Sequence, residues 1–209
     1  MRSLGWDVEG VELDNDVPNP SDMPIRYGDF LDMVFEPASY DCITFWAVLE
    51  HVYKPAAFIR KAAFLLKPGG RLVALVTNLQ SIQARWYHAD DYPRHLTIFT
   101  AAALRKLCRR EGLRLVQVRT DQKIFGGALN GGLLYAVKRL GGYSQDEAFS
   151  EWKQPHDPDL FWGCWRSRPS RFVRAVSRLD RAITWPIEKL LDYLGFGFIM
   201  TFVIEKPHE

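Results

Sequence analysis

Hydrophobic residues in the first part of the chain form short clusters that alternate with longer amphipathic stretches. The clusters are rich in β-branched and aromatic residues and are bounded by Gly, Pro, Asp or Asn, which is typical of strands. One more cluster of this type closes the chain. The predicted strands cover residues 8–13, 25–27, 40–45, 71–77, 113–118 and 196–204.

Two stretches between these strands have the spacing of amphipathic helices. Apolar residues recur at helical spacing over 54–66, and the Pro-Gly-Gly sequence at 68–70 is expected to stop that helix before the next strand. Thr100 is predicted to be the N-cap of a second helix that runs to Arg110 and stops at Gly112. This alternation predicts an α/β fold with a mostly parallel sheet and helices on both faces.

From residue 126 to 195 the pattern changes to helical segments rich in Trp and Arg, in which an apolar stripe runs beside a basic one. We expect the apolar stripe to pack on the sheet and the arginines to be solvated. The alternative is a basic amphipathic helix, over 171–194, that lies on an anionic membrane surface or contacts an apolar acceptor. The apolar stripe comprises Phe172, Val173, Val176, Leu179, Ile183, Ile187, Leu190, Leu191 and Leu194, the basic stripe comprises Arg171, Arg174, Arg178 and Arg181, and Trp152, Trp162, Trp165 and Trp185 fit either interpretation.

Composition narrows the class of protein further. A chain of 209 residues with 47% hydrophobic residues can bury one full core, which predicts a single domain. The net charge of +2 is too small to predict a nucleic-acid partner. The three cysteines have no Cys-x-x-Cys or Cys/His spacing, so we expect neither a disulfide framework nor a metal site. With no signal sequence or membrane span in the pattern, a cytoplasmic protein is expected.

Five short motifs carry a resemblance to a known family. They are GWDVEGVE at 5–12, GDF at 28–30, YD at 40–41 followed by VLEH at 48–51, LKPGGRLV at 66–73, and YPRHL at 92–96. In this order they resemble the class I S-adenosylmethionine-dependent methyltransferases of the small-molecule type. The resemblance covers residues 4–120 and the final strand. It implies a Rossmann-like sheet, mostly parallel with an antiparallel last strand, S-adenosylmethionine as cofactor, and a small-molecule acceptor that is apolar or a saccharide.

The resemblance also implies which residues bind the cofactor. Glu12, at the end of the second strand of the family's sheet, takes the position of the acid that accepts both ribose hydroxyl protons, with Asp14 as the alternative. After the next strand, Asp29 is expected to bind the adenine amino group. The other positions that the resemblance assigns to the cofactor are Phe30 over the adenine ring and Phe45, Trp46 and Ala47 along the methionine end, although a packing role for Phe30 or Trp46 stays open.

Two histidines are the candidates for catalysis. Methyl transfer needs a base only when the acceptor is protonated, and imidazole titrates near neutrality. His51 and His95 both lie in loops on the side where the resemblance expects the site. The alternative for His51 is a capping or backbone-bonding role in the Glu50-His51 pair. For His95, beside Arg94, it is anchoring of a loop over the pocket.

One part of the family's pattern does not occur in the sequence. The resembling enzymes have a first strand with a glycine-rich loop, and that strand lies between the second and the fourth. No such loop occurs here, so we expect two strands with unpaired edges or a direct pairing between them. The expected organisation is a partial Rossmann-like core at 1–121, a helical insert at 122–195 and the final strand at 196–209. The function expected is that of an N-terminally truncated methyltransferase, and the alternative is a non-catalytic module that binds a partner or a membrane surface.

Overall fold

A computed structural model of the chain describes residues 4–16, 23–81, 84–85, 94–121, 142 and 171–208, and for 171–177, 180 and 181 the backbone alone. The elements in chain order are β1 (Gly10–Glu12), β2 (Ile25–Tyr27), β3 (Tyr40–Trp46), α1 (Pro55–Leu65), β4 (Leu66–Thr77), α2 (Ala101–Arg110), β5 (Arg114–Asp121), α3 (Arg171–Tyr193) and β6 (Ile199–Glu205). All six predicted strands and both predicted helices of the first part are confirmed, with their ends displaced.

The chain divides into two compact units. The first comprises Met1–Thr77, Asp91–Val118 and Thr201–Glu209, and the second comprises Asn78–Asp90 and Arg119–Met200. The strands lie mainly in the first unit, and the long helix α3 lies in the second.

The strands form two sheets. β1 pairs in parallel with β2, with Gly10 opposite Ile25 and Glu12 opposite Tyr27. The larger sheet has the order β3-β4-β6-β5, and β3 pairs in parallel with β4. Helix α1 supplies the crossover between these two parallel strands, as the βαβ pattern predicted.

Strand β6 runs antiparallel to β4. At one end of the pair, the backbone N–H of Gly69 donates to the Lys206 carbonyl at 2.9 Å, and Lys206 donates to Gly70 at 3.0 Å. At the other end, the Asn78 N–H donates to the Phe198 carbonyl at 2.9 Å. The partner residue number falls as the β4 number rises, so the prediction of a mostly parallel sheet with an antiparallel last strand is confirmed.

The expected break in the sheet is present between β1 and β3. Among the described residues, β1 pairs only with β2 and β3 pairs only with β4, so each of the two strands keeps one unpaired edge. The Tyr40 hydroxyl donates to the Glu9 carboxylate, which links the beginning of β3 to the residue before β1. Direct pairing of the two strands, the other outcome that the sequence allowed, does not occur.

The core of the first unit is built on β4 and α1. Helix α1 buries one face at Ile59, Ala62 and Leu65, the spacing of an amphipathic helix. β4 is buried along most of its length because it is a central strand. The other buried apolar side chains of this unit include Leu49, Phe99, Leu104, Phe202 and Ile204.

The Lys-Pro-Gly-Gly segment has a different role from the one predicted. α1 ends at Leu65, before the proline, and the extended backbone continues from Leu66 through both glycines into β4. Gly69 has a φ of +76°, which a residue with a side chain adopts only at a cost. Since Gly69 and Gly70 both pair with Lys206, this segment is an irregular start of a strand.

The second unit contains α3 and the turn that follows it. The Asn78 side-chain amide donates to the carbonyls of Gly195 and Gly197, at 3.0 and 2.8 Å, and fixes this turn. The prediction that the apolar stripe is packed is wrong for most of its described side chains, because Leu179 is 57% exposed and Leu190 is 56% exposed, while Leu191 is half-buried. Ile183, Ile187 and Leu194 are exposed as well.

Several predictions for the insert fall outside the described residues. They concern Trp152, Trp162 and Trp165, and the side chains of Phe172, Val173, Val176, Arg171, Arg174 and Arg181. Within the described part of the chain, no helix combines the length and the apolar character that crossing a membrane requires.

Candidate functional site

Glu12 lies at the carboxyl end of β1. One of its carboxylate oxygens, Oε1, accepts hydrogen bonds from the backbone N–H groups of Leu13 at 2.8 Å and Asp14 at 3.4 Å. These bonds hold the half-buried carboxylate in place, and no described residue donates to its second oxygen, Oε2. A fixed carboxylate with an unused oxygen fits the binding of ribose hydroxyl groups.

Asp14 is the weaker of the two acids as a ligand for a sugar. It is exposed, and its Oδ1 already accepts the backbone N–H of Asp16 at 2.9 Å. The bond closes a local turn of the kind that aspartates form after a strand. The geometry therefore favours Glu12 over Asp14.

Asp29 occupies the turn that follows β2. Its Oδ1 accepts the backbone N–H of Leu31 at 2.8 Å, and its side chain is exposed. The Lys61 ammonium, on α1, donates to the carbonyls of Leu31 at 2.8 Å and Met33 at 2.5 Å, and so ties this turn to the helix. Asp29 is thus held on a fixed loop and presents a carboxylate to solvent.

The rings of Phe30 and Phe45 pack against each other in the core. Their centroids lie 5.7 Å apart in an edge-to-face arrangement, and Phe58 of α1 contacts both rings. Such aromatic pairs are favourable beyond the area that they bury. The packing role left open for Phe30 is thus present, and any contact of the buried Phe45 with a ligand comes through its backbone.

Trp46 and Ala47 form the carboxyl end of β3. Trp46 is 54% exposed. Ala47 has a φ of +52°, in the left-handed region that residues other than glycine rarely adopt, and its N–H donates to the Leu75 carbonyl at 3.1 Å. Strained backbone of this kind occurs preferentially at ligand sites. The turn after β3 is therefore a candidate part of the site.

Glu50, His51 and His95 come together beyond this turn. The Glu50 carbonyl accepts the backbone N–H groups of Leu96 at 2.8 Å and Thr97 at 3.2 Å, which brings the segment carrying His95 against the turn. The His51 and His95 rings lie 4.8 Å apart between centroids. His51 Nδ1 is 3.1 Å from the Arg94 carbonyl. Because a carbonyl only accepts, Nδ1 carries a proton, so in the neutral imidazole the lone pair lies on Nε2.

The Glu50 carboxyl is the buried charge of this cluster. The residue is 2% exposed, and its Oε2 has no hydrogen-bond partner among the described residues. Burial raises the pKa of the Glu50 carboxyl, against the opposing effects of backbone N–H groups and of the neighbouring His51. An acid without full compensation at this depth is uncommon in a folded core.

Some of the residues of this candidate site were predicted from the sequence, and Glu50 was not. The structure brings His51 to His95 and Phe30 to Phe45, whereas Glu12, Asp14 and Asp29 each bind the backbone that follows them. Glu50 was missed as a functional group, since it was treated only as the neighbour of His51. Its signal was its position directly after the buried Leu49, where a charged side chain has little access to water.

A parallel sheet with an antiparallel last strand, and acidic residues after its strands, define the class as a Rossmann-like methyltransferase. A family model described as a methyltransferase domain matches residues 1–118. The chain belongs to this family, whose cofactor is S-adenosylmethionine. The resemblance on which the site residues were assigned is confirmed at the level of the family.

Proteins and solved structures similar to the chain agree with this assignment. A ubiquinone biosynthesis O-methyltransferase from Burkholderia pseudomallei is 28% identical over 139 residues, which cover 57% of this chain and 60% of that protein. An S-adenosylmethionine-dependent methyltransferase from Archaeoglobus fulgidus has a TM-score of 0.56 at 15% identity, over 98% of this chain and 78% of that one.

A third similarity shows the same fold. The phosphoethanolamine N-methyltransferase 2 of Haemonchus contortus, in complex with S-adenosyl-L-methionine, has a TM-score of 0.53 at 12% identity, over 98% of this chain and 44% of that one. At such identities, the solved structures show the fold alone. The chain spans about 60% of the length of the Burkholderia relative.

Proposed function

We propose that this protein transfers a methyl group from S-adenosylmethionine to a small-molecule acceptor. The observation that carries the proposal is the Glu12 carboxylate, held at the end of β1 with one oxygen unused, in a chain whose first 118 residues match the methyltransferase domain. The cofactor supplies an electrophilic sulfonium methyl group. The protein's part is to bind the cofactor, orient the acceptor and exclude water.

The cofactor-binding roles follow the strand ends. Glu12 accepts the ribose hydroxyl protons, with Asp14 as a nearby second acid, and Asp29 accepts from the adenine amino group. Phe30 packs beneath the adenine from the aromatic cluster. Trp46 and Ala47, with the backbone of Phe45, line the methionine end, and the left-handed conformation of Ala47 supports this assignment.

We propose an oxygen atom on an apolar small molecule as the acceptor, with a saccharide hydroxyl as the second choice. The similar Burkholderia protein carries the name of an O-methyltransferase, which supports oxygen as the acceptor atom. An acceptor hydroxyl must lose its proton during transfer. His51 and His95 are the groups that act on this proton, because they are the imidazoles of the turn that adjoins the proposed methionine end.

Isothermal titration of S-adenosylmethionine and S-adenosylhomocysteine into the 209-residue chain tests the cofactor site. We expect Glu12→Ala to weaken binding by about tenfold or more, since it removes a hydrogen bond to a charged group. Asp16→Ala is the matched control, because Asp16 is an exposed acid of the same loop with no assigned role. Equal binding by both variants would remove Glu12 from the site, and a folded chain that binds neither compound would contradict the proposal.

The exposed apolar side chains of α3 favour a second candidate function. Leu179, Ile183, Ile187 and Leu190 are exposed on a helix that also carries the exposed Arg178, which supports binding to an anionic membrane surface over 171–194 by a non-catalytic module. Sedimentation with phosphatidylglycerol vesicles tests this function. Ile183→Glu should reduce binding, while Leu13→Glu, at an exposed apolar residue elsewhere, should not. No sedimentation of the unaltered chain would exclude this candidate.

The cytoplasm is the compartment that we propose. Cys42 is exposed and Cys108 is buried, and both are free thiols. Exposed free thiols persist in reducing compartments. Quantitative alkylation of Cys42 in protein taken directly from cells would support this location, and an oxidised Cys42 thiol would argue against it.

A further inference from the structure

We propose that Glu50, His51 and His95 form a binding site for a divalent transition-metal cation, with Zn²⁺ as the best match. One potential ligand atom from each of the three side chains lies within 4.8 Å of the other two. The three residues belong to the same compact unit. No Cys or His spacing in the sequence predicted this site, because the histidines come from two separate segments.

The donor set selects the class of cation. Two imidazole nitrogens and one carboxylate oxygen are the protein ligands of many catalytic zinc sites, in which a fourth position stays open for water or substrate. Imidazole suits zinc and its first-row neighbours, whereas Mg²⁺ and Ca²⁺ prefer sites made of oxygen ligands alone. The cluster therefore predicts binding of Zn²⁺ or Co²⁺ in preference to Mg²⁺.

Hydrogen bonds outside the cluster prepare two of the ligands. His51 Nδ1 lies 3.1 Å from the Arg94 carbonyl, which accepts its proton and so selects the neutral tautomer in which the lone pair on Nε2 faces a cation as a ligand atom. This is the outer-shell contact that metal-binding histidines usually make. The Glu50 carbonyl accepts two N–H groups from the segment that follows His95, which fixes the two segments relative to each other.

The buried carboxylate of Glu50 favours binding of a cation at the cluster. Its carboxyl is buried, and Oε2 faces no donor among the described residues. A carboxylate with one unbonded oxygen at this depth is costly, and a metal ion is one of the partners that stabilises it.

The geometry requires only a small contraction. Ligand atoms around a tetrahedral zinc lie about 3.3 Å apart, given metal–ligand distances of about 2.0 to 2.1 Å. The present separations reach 4.8 Å, so binding would bring the ligand atoms closer together by about 1.5 Å at most. His51 and His95 are half-buried, so a fourth ligand has access from solvent.

The cation has a role in methyl transfer that rests on the proposed function, namely activation of the acceptor hydroxyl. A cation at this site would bind the acceptor hydroxyl oxygen and lower the pKa of that hydroxyl, so that its proton leaves to solvent. The oxygen then forms a bond to the sulfonium methyl carbon, the carbon–sulfur bond breaks, and its electron pair stays on sulfur in S-adenosylhomocysteine. With the cation bound, His51 and His95 would act on the acceptor hydroxyl through the metal as its ligands, and without it they are the bases of the proposed function.

Titration of Zn²⁺ into the chelator-treated chain, without cofactor or acceptor, tests the site directly. We expect one strong site, and a loss of affinity of about tenfold or more in His51→Ala, His95→Ala and Glu50→Gln. His208→Ala, at an exposed histidine outside the cluster, is the matched control and should bind like the unaltered chain. Mg²⁺ should not compete. Co²⁺ should give the intense visible absorption of a four-coordinate site.

The outcomes separate this proposal from its alternatives. Equal Zn²⁺ affinity in the control and in all three cluster variants would place the metal elsewhere, for example on the cysteines, and would overturn the proposal. If an alanine variant fails to fold, Glu50→Gln decides, because it keeps the shape of the side chain and removes the charge. Binding of S-adenosylhomocysteine is measured separately, so loss of metal affinity with the cofactor site intact contradicts only the metal proposal.

Discussion

At the scale of single residues, Glu50 is the side chain whose environment deviates most from the ordinary. Its raised pKa means that the folded state favours the protonated carboxyl. Relative to a neutral side chain, it therefore destabilises the metal-free protein at neutral pH, and the effect disappears as the pH falls below 4.5, the ordinary glutamate pKa. We expect Glu50→Gln to raise the free energy of unfolding at pH 7, because the amide is neutral and keeps the shape of the side chain.

Urea denaturation at pH 7 and pH 4 measures this effect. Zn²⁺ should stabilise the unaltered chain and not the variant, so that the order of the two stabilities reverses when the metal is added. Glu36→Gln, at an exposed position, is the control and should change neither value. A loss of stability in Glu50→Gln without metal would show that the carboxylate is already compensated by the protein.

The pKa of Glu111 is shifted in the opposite direction from that of Glu50. The Arg60 guanidinium donates to both of its carboxylate oxygens, at 2.8 and 2.9 Å. This pair, with help from Arg110, lowers the pKa of Glu111 from 4.5 to about 2. The resulting stability is present above pH 4.5 and is lost as the pH falls towards 2. Glu111→Gln should lower the melting temperature at pH 7, and the difference should shrink in acid.

A second ion pair provides the comparison for Glu111. Asp41 accepts from Lys67 at 2.8 and 2.9 Å, but both side chains are largely exposed, at 67% and 45%. Exposed single pairs contribute little because solvent screens them. Asp41→Asn should therefore leave the melting temperature nearly unchanged, and equal losses in both variants would contradict the structural distinction.

At the scale of elements, Thr100 shows how far local sequence determines structure. It was predicted as an N-cap, and its hydroxyl accepts the backbone N–H of Ala103 at 3.1 Å. Thr100→Ala should lower the free energy of unfolding by about 1 kcal/mol, because an N–H of the first turn loses its partner. Thr100→Ser keeps the oxygen and should retain most of that stability. Urea denaturation of the three proteins measures the difference.

Helices and strands that depend on neighbouring residues could be predicted from the sequence. The strand pairing and the burial that depend on distant residues could not. The spacing of apolar residues gave α1 and α2, and short apolar runs gave each strand, because these patterns act within a few residues. The extension of β4 back to Leu66 depends on pairing of Leu66 with Tyr40 of β3, and of Gly69 and Gly70 with Lys206 near the opposite end of the chain. The exposure of Leu179 and Ile183 likewise depends on what lies against α3 and not on its own periodicity.

The residues of the candidate site were likewise predictable only where neighbouring sequence determines their position. Glu12 and Asp29 could be assigned because Glu12 lies near the end of one predicted strand and Asp29 lies in the turn after the next. The cluster of Glu50, His51 and His95 could not, because it depends on hydrogen bonds between the turn after β3 and the segment at 94–97. A site formed by two loops that are far apart in the sequence has no characteristic residue spacing by which it could be predicted.

At the scale of the whole molecule, the two sheets of the first unit differ in how firmly they are held. β4 is buried and has a partner strand on each side, whereas β1 and β2 pair over three residues each and keep free edges among the described residues. Local opening is easiest where few buried contacts hold the backbone. Amide exchange should therefore be slowest in β4 and faster by orders of magnitude in β1 and β2.

Cofactor binding should reduce the difference in amide exchange rate between β4 and the strands β1 and β2. The reason is that the proposed cofactor residues Glu12 and Asp29 lie at the ends of these two weakly held strands. Hydrogen–deuterium exchange with and without S-adenosylhomocysteine tests this. Protection should appear around 10–14 and 25–30 and be absent in Glu12→Ala, while β4 stays unchanged because it is already slow. The protection arises because the cofactor binds the closed form of these strands and not the open one. Protection confined to α3 would place the ligand in the second unit and contradict the assignment of Glu12.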